Sequence, residues 1–166
     1  MSDAERFLVH EHPGLSRAAY LLTGDPSAAQ DLVQETAVRV LLQWSRVARA
    51  QSPAAYTRRI MLNAFLGRRR RAWRREVPGD ALPEPAPGDP PYAALDDRDV
   101  LRRALLQLPA RQRAAVVLRH YEDRSEVETA QLMGCSVGNV KALTSRGLSA
   151  LRAALSDDAP EGTAAR

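Results

Sequence analysis

The chain is poor in the residues that staple a fold, ligate a metal or cross a membrane. One cysteine in 166 residues, Cys135, excludes an internal disulfide framework. Three histidines, His10, His12 and His120, are too few and too scattered for a metal cluster, and nothing resembles a structural zinc site. No metal and no cofactor are expected. No uninterrupted apolar run approaches the roughly 18 residues of a membrane span. Residues 1–6 show no basic region leading into an apolar core, so no signal peptide is expected. These absences predict a soluble cytoplasmic protein without membrane contact. The length allows one ordinary domain or two small ones.

What is present is charge, unevenly spread. The net charge of +4 divides into +7 over residues 1–75, −6 over 76–97, +5 over 98–155 and −2 over 156–166. Two basic modules, suited to a polyanion, flank an acidic spacer. Residues 78–91 hold six prolines and two glycines. Proline removes the amide donor and stops a helix, so this stretch reads as an extended, semi-rigid tether. The other reading is a surface loop within one domain, which at this length is unusual.

The first module reads as helices. Leu15, Ala18, Ala19 and Leu22 repeat at helical spacing before Gly24, and Pro13 sits near a helix start or a kink. Asp25-Pro26 gives an N-cap followed by proline in the first turn. Leu32, Val33, Thr36, Ala37, Val40, Leu41, Trp44 and Val47 then mark one apolar face, with Asp31, Gln34 and Glu35 largely off it. Ser52-Pro53 repeats the start signal for a helix carrying Tyr56, Ile60, Asn63 and Leu66. From Arg58 to Arg75 there are eight arginines and no acid, with Tyr56, Phe65 and Trp73 in or beside the run. Guanidinium forks match phosphates and aromatic faces stack on unpaired bases. A charge run is also the mark of a solvated face, but such a face usually alternates signs to gain i,i+4 pairs.

The second module contains a helix-turn-helix. Asp97 could cap a helix bearing Val100, Leu101, Ala104, Leu105 and Leu108, and Pro109 starts another with Ala115, Val116, Leu118 and Arg119 before His120-Tyr121. Ser125-Glu126-Val127-Glu128 is a capping box. Ala130 is small enough for a steep helix crossing, Gly134 tolerates the positive φ of the turn, and Val140 packs back. Ser136 caps the next helix, with Val140, either Leu143 or Thr144, Leu148, Leu151 and Leu155 inward. Asn139, Lys141, Ala142, Ser145 and Arg146 remain near its outer face, where they could enter a major groove. Cys135 reads as a small half-buried turn residue. The whole is expected to be all-α. Two small helical domains, residues 1–77 and 96–155, are joined by a flexible Pro-rich acidic linker over 78–95 and followed by a disordered tail over 156–166.

Two ordered sets of residues carry a resemblance. The first is Gly24-Asp25, Ala29, Asp31-Leu32-Val33-Gln34-Glu35, Trp44, Ser52-Pro53 and Ile60 to Asn63 with the arginines after it. The second is Leu108-Pro109, Arg113, Val117-Leu118-Arg119, Tyr121-Glu122-Asp123, Glu128-Thr129-Ala130, Met133-Gly134-Cys135-Ser136 and Val137-Gly138-Asn139-Val140-Lys141. Over roughly residues 5–155 the chain resembles a minimal extracytoplasmic-function (group IV) sigma factor of the sigma-70 family, most similar to actinobacterial members. The resemblance implies an all-α initiation factor, not an enzyme, that binds RNA polymerase core and directs it to promoters.

The same resemblance implies roles residue by residue. Asp31, Gln34 and Glu35 would grip the β′ clamp helices of the polymerase, or else are ordinary solvent-facing groups. Tyr56, Arg58, Arg59, Asn63, Arg68, Arg69, Arg70, Arg71 and Trp73 would open and read the −10 element, unless Asn63 is a buried structural amide. Ser136, Asn139, Lys141, Ala142, Ser145 and Arg146 would read the −35 element, with the second domain on the β flap. The spacer resembles the linker threaded through polymerase between the two DNA sites. An anti-sigma factor is a further candidate partner, and the protein would be monomeric in the holoenzyme.

The chain departs from the family pattern at Gly67, where many members have Asp, and at Ala142-Leu143, where many have Ser-Arg. Ala142 could meet a thymine methyl but makes no bidentate base contact. Breaking duplex stacking costs about 1.4 kcal/mol per step, so a ten-step bubble costs on the order of 14 kcal/mol. Specific recognition supplies only about 4–10 kcal/mol over non-specific binding. A chain this small is therefore expected to act with polymerase. The alternative is a helix-turn-helix repressor that binds duplex DNA without polymerase, usually as a dimer, for which no long heptad seam is visible. An enzyme would need a carboxylate cluster or an activated nucleophile. Asp96, Asp97 and Asp99 sit instead at a helix start, where the macrodipole favours acids.

Overall fold

The structure, a computed structural model, describes the backbone of residues 1–75 and 97–157, and side chains up to Arg68 and from Asp97. All regular structure among the described residues is helical. Helix α1 (Asp3–Thr23) begins at a capping box in which Ser2 and Glu5 exchange side-chain and backbone hydrogen bonds. It ends at Gly24, whose φ of 68° is the left-handed conformation that stops a helix cheaply only at glycine. Pro13 lies inside this continuous helix, ten residues beyond its start, so it marks no helix start. Asp25 then accepts the Ala28 amide at 2.8 Å, and Pro26 opens α2 (Pro26–Leu42). Gln43 leaves the helical region at φ −123°, ψ 28°, and a short α3 (Trp44–Arg49) follows. Ser52 accepts the Ala55 amide at the head of α4 (Pro53–Arg75).

These helices bury Leu15, Ala18, Ala19 and Leu22 of α1 against Leu32 and Val33 of α2 and Met61, Leu62, Ala64 and Phe65 of α4. A satellite cluster joins Val40, Val47 and Ile60, flanked by Phe7 and Trp44, whose ring centroids lie 5.4 Å apart. Leu41, expected on the inner face, is 47% exposed. Leu41 stands three residues after the exposed Val38, on the outward row of α2 by the 3.6-residue period, at the edge of the stripe that runs through Val40.

In the second half, α5 (Asp97–Leu106) leads through Pro109 to α6 (Ala110–Val116). A π-helical turn (Val117–Tyr121) follows, closed by the Glu122 amide on the Val117 carbonyl at 3.1 Å. The expected Ser125–Glu128 capping box starts α7 (Glu126–Met133), and Gly134, at φ 65°, ends it. Ser136 accepts the Asn139 amide at 3.0 Å and starts α8 (Val137–Asp157), which runs two residues into the expected tail. Both Leu143 and Thr144 are half-buried. Helices α6 and α8 nearly touch at Gly147, where an added Cβ would stand 2.7 Å from Val116 Cγ2. Ala104, Leu105, Leu108, Val116 and Leu151 form this half's own cluster.

The two halves also pack on each other. The main core continues from α1, α2 and α4 into Ala114, Ala115, Val117, Leu118, Leu132 and Met133. Arg113, 2% exposed, donates from Nη1 to the Leu22 carbonyl at the end of α1 (2.5 Å) and from Nε to the Leu105 carbonyl (2.8 Å). Its Nη2 reaches the Leu106 and Leu108 carbonyls at 3.3 and 2.9 Å. One guanidinium thus satisfies the orphan carbonyls of two helix ends and complements both dipoles. Arg102 donates to the Gly24 carbonyl at 3.0 Å, and Leu106 sits so close to Gly24 that a Cβ there would meet it at 2.6 Å. The linker expected over 78–95 lies outside the described residues, as does the tail from 158 onward.

Candidate nucleic-acid interface

Three surfaces collect the residues singled out from the sequence. The first is a cleft of about 370 Å³ between α4 and the end of α2, lined by Arg39, Gln43, Tyr56, Arg59, Ile60 and Asn63. Residues 56, 59, 60 and 63 fall on one side of α4 by its 3.6-residue period. Asn63 is exposed there, so it is not a buried structural amide. Tyr56 reaches Gln43 Oε1 at 3.5 Å. The cleft therefore offers a guanidinium pair, two amides and a phenol face, which together suit a phosphate and an unstacked base.

Arg58 is not in this cleft. One residue from Arg59, it points about 100° away, is 8% exposed, and gives Nε to Glu122 Oε1 of the second half at 2.9 Å. Arg68 is exposed and pairs with Glu35, which also holds Arg39 at 2.7 Å. Arg69, Arg70, Arg71 and Trp73 continue α4, and their side chains lie outside the described residues.

The second surface is the outer face of α2. Asp31 and Gln34 are exposed and Glu35 is half-buried between its two arginines. The same helical row continues into Val38, Leu41 and Leu42, which are 54%, 47% and 83% exposed. Three outward apolar side chains beside a polar row make a surface suited to a partner helix.

The third surface is α8. Ser136, Asn139, Lys141, Ser145 and Arg146 are exposed, and Ala142 is half-buried. A shallow cleft of about 340 Å³ beside them is lined by Arg119, Glu126, Lys141, Thr144, Ser145, Leu148 and Arg152. Glu126 stands 3.7 Å from Lys141 and 3.9 Å from Arg119, so one carboxylate sits between two cations. Backbone and hydroxyl hydrogen bonds from Ser125 hold the Glu128 carboxyl below its ordinary range. Arg102, by hydrogen bond and charge, does the same for Asp99 at the head of α5. Burial raises the Tyr121 phenol.

Arg39, Gln43, Arg119 and Arg152 were missed from the sequence. Arg39 and Gln43 stand four apart on α2, and Arg152 follows Ser145 by seven, so helical spacing was the available signal. Among the described residues, no group of three or more His, Cys, Asp and Glu could hold a metal ion, and no helix is long and apolar enough to cross a membrane.

Comparison with known proteins places both halves. Residues 8–75 match the model of sigma-70 region 2, and residues 98–151 that of sigma-70 region 4. The chain is 38% identical over 152 residues to the RNA polymerase sigma-E factor of Streptomyces coelicolor, covering 89% of this chain and 83% of that protein. It is 34% identical over 158 residues to the ECF RNA polymerase sigma factor SigL of Mycobacterium tuberculosis, covering 92% and 89%. Among solved structures it resembles the sigma factor RpoE of Bartonella quintana, crystallised with the anti-sigma factor NepR. The TM-score is 0.77 at 26% identity, over 95% of this chain and 99% of that one.

Proposed function

We propose, from the premise that this chain belongs to the sigma-70 family of RNA polymerase sigma factors, a division of labour among its three surfaces. The protein is an alternative sigma factor of the extracytoplasmic-function type: it binds RNA polymerase core and directs it to promoters. The relatives give the repressor reading no support. The outer row of α2, from Asp31 and Gln34 through Val38, Leu41 and Leu42, takes the polymerase β′ clamp helices. The cleft of Tyr56, Arg59 and Asn63, widened by Arg39 and Gln43, takes an unstacked base and backbone of the −10 element. Arg68 and the further arginines Arg69, Arg70 and Arg71, with Trp73, extend that track. Ser136, Asn139, Lys141, Ala142, Ser145 and Arg146 read the −35 element, with Arg119 and Arg152 on flanking phosphates and the second half on the β flap. It works as a monomer in the holoenzyme, in the cytoplasm, with no catalytic step of its own. An anti-sigma factor is a further partner, as the name of the Bartonella complex suggests for its own sigma factor.

The observation that carries this reading is the continuity of the α2 row: a polar start and an apolar end, all outward, next to the Arg59–Asn63 cleft. Binding to core and reading of DNA then occur on adjoining faces of one module. The test mixes the full chain with sigma-free core polymerase and measures co-elution. Stoichiometric binding by the wild type, weakened at least tenfold by Asp31→Lys combined with Leu42→Glu, is expected. Tight binding to duplex promoter DNA with none to core would overturn it.

A further inference from the structure

We propose that Glu35 is a positioning residue for the −10 strand: its carboxylate holds Arg39 and Arg68 in the orientation in which they meet nucleic acid, and it makes no contact with polymerase. The inference rests on the sigma-factor reading above. It takes Glu35 out of the set that its neighbours Asp31 and Gln34 form on α2.

Helix α2 presents two rows. Gln34, Val38, Leu41 and Leu42 are exposed along its outward side. Glu35 stands about 100° round the helix from Gln34. Arg39 and Gln43 follow Glu35 at four-residue steps and line the cleft with Tyr56, Arg59 and Asn63 of α4. Gln43 meets the Tyr56 hydroxyl near the start of α4, and Glu35 meets Arg68 farther along it. The two helices therefore run antiparallel, and the row of Glu35, Arg39 and Gln43 follows their join. Glu35 belongs to the side that borders the cleft.

Its two oxygens are divided between arginines of different helices. Oε1 accepts Arg39 Nη2 at 2.7 Å. Oε2 accepts Arg68 Nε at 2.6 Å and also pairs with Arg68 Nη2, which lies 3.5 Å from the Asp31 carbonyl. The Glu35 side chain is 25% exposed, against 38% for Arg39 and 42% for Arg68. The acid is thus the inner member and the two cations are the outer ones. Among the described residues, no hydrogen bond takes Arg39 Nε or Nη1 or Arg68 Nη1, so each guanidinium keeps donors for a phosphate.

An arginine side chain has many rotamers, and ordering it on a ligand lowers affinity unless it is ordered beforehand. A carboxylate on one side of the fork fixes the plane of the guanidinium through charge-assisted hydrogen bonds and leaves the other side outward. Glu35 precedes Arg39 by four residues, the favourable order for such a pair on a helix. The shared carboxylate also lets two like charges stand side by side; without it Arg39 and Arg68 would repel and part. A plain charge effect has the opposite sign. Removing an acid beside nucleic acid strengthens attraction to the phosphates, whereas removing a positioning acid weakens binding. The direction of the change therefore separates the two.

The test uses holoenzyme assembled from the full chain and sigma-free core polymerase. The probe is the oligonucleotide that wild-type holoenzyme enriches most from a randomised single-stranded DNA pool. Glu35→Gln, which keeps the size and removes the charge, should lower affinity for that strand about three- to tenfold, with core affinity kept within about twofold and helicity by circular dichroism unchanged. Where Arg39→Ala and Arg68→Ala are already present, the same change should cost less than about twofold, because no fork remains to be held. Strand affinity that is unchanged or raised, a loss of core affinity beyond that range, or an equal loss in the background lacking both arginines would overturn the role. A wild type that never binds core would instead overturn the sigma-factor reading, and the strand affinities of the free chain would then decide Glu35 by the same comparison.

Discussion

Arg113 in the second half and Arg58 in the first are both buried guanidinium groups at the same seam, and they meet opposite kinds of partner. Arg113 faces four backbone carbonyls at the ends of α1 and α5. Those acceptors are dipoles that cannot leave, and once the helices form they need a donor. Arg58 faces one carboxylate, itself shared with Arg124. That acceptor is a side chain that water can replace. The contrast separates a charge bound to fixed backbone acceptors from a charge bound to a side chain that can turn away.

The strongest way to break this contrast is to remove both heads in turn. Arg113→Met should cost about 3–5 kcal/mol in urea unfolding, since it leaves buried carbonyls without a donor. Arg58→Met should cost less than half of that, because Glu122 keeps Arg124 and can turn toward water. Equal losses would erase the distinction. Gly147→Val comes next, at about 1–3 kcal/mol, because the new Cβ meets Val116 at 2.7 Å and the Gln112 carbonyl at 3.3 Å. The loss should appear as early melting of the α6–α8 contact while the α1–α2 hairpin stays protected from hydrogen exchange. Ser125→Ala should cost about 1 kcal/mol of stability, and Ser2→Ala less, since the Ser2 hydroxyl accepts its amide at 3.3 Å against 3.0 Å for Ser125; equal costs would mean that caps in both halves matter alike.

Acid should give the smallest effect. The Asp99 and Glu128 carboxyls are held below their ordinary values of 3.8 and 4.5. A depressed folded-state value contributes stability above the unfolded value and loses it as pH falls through the folded one. Hydrogen-exchange protection at the starts of α5 and α7, taken relative to the intrinsic exchange rate at each pH, should therefore be steady from neutral pH to about 5 and fall below about 4. Protection that stays flat to the lowest pH would remove both carboxyls from the stability of this half.

Local signals in the sequence located the elements. Gly24, Asp25-Pro26, Ser52-Pro53, the Ser125–Glu128 box, Gly134 and Ser136 each act within about four residues, and each stands at the helix end it predicts. What failed depended on phase or on distance. Pro13 hid the real start of α1, because the Ser2–Glu5 box lies eight to eleven residues upstream. Leu41 sits at the edge of the apolar face, three residues after the exposed Val38, where hydrophobicity alone does not fix which way a side chain turns. The candidate contacts on α8 could be read because a capped helix fixes its own outer face. Arg58 and Arg113 could not, because an arginine at helical spacing looks solvated until the opposite half supplies its acceptors.

The π-helical turn at Val117–Tyr121 makes chain length itself a variable. A turn closed five residues on carries one residue more than an α turn. A one-residue deletion inside it would be absorbed as an ordinary turn, with α6 upstream untouched. With the extra residue gone, the segment from Glu122 onward keeps its place, and Leu132 and Met133 stay in the shared core. Chain length at this one turn can therefore change by a residue while the packing on either side of it is conserved.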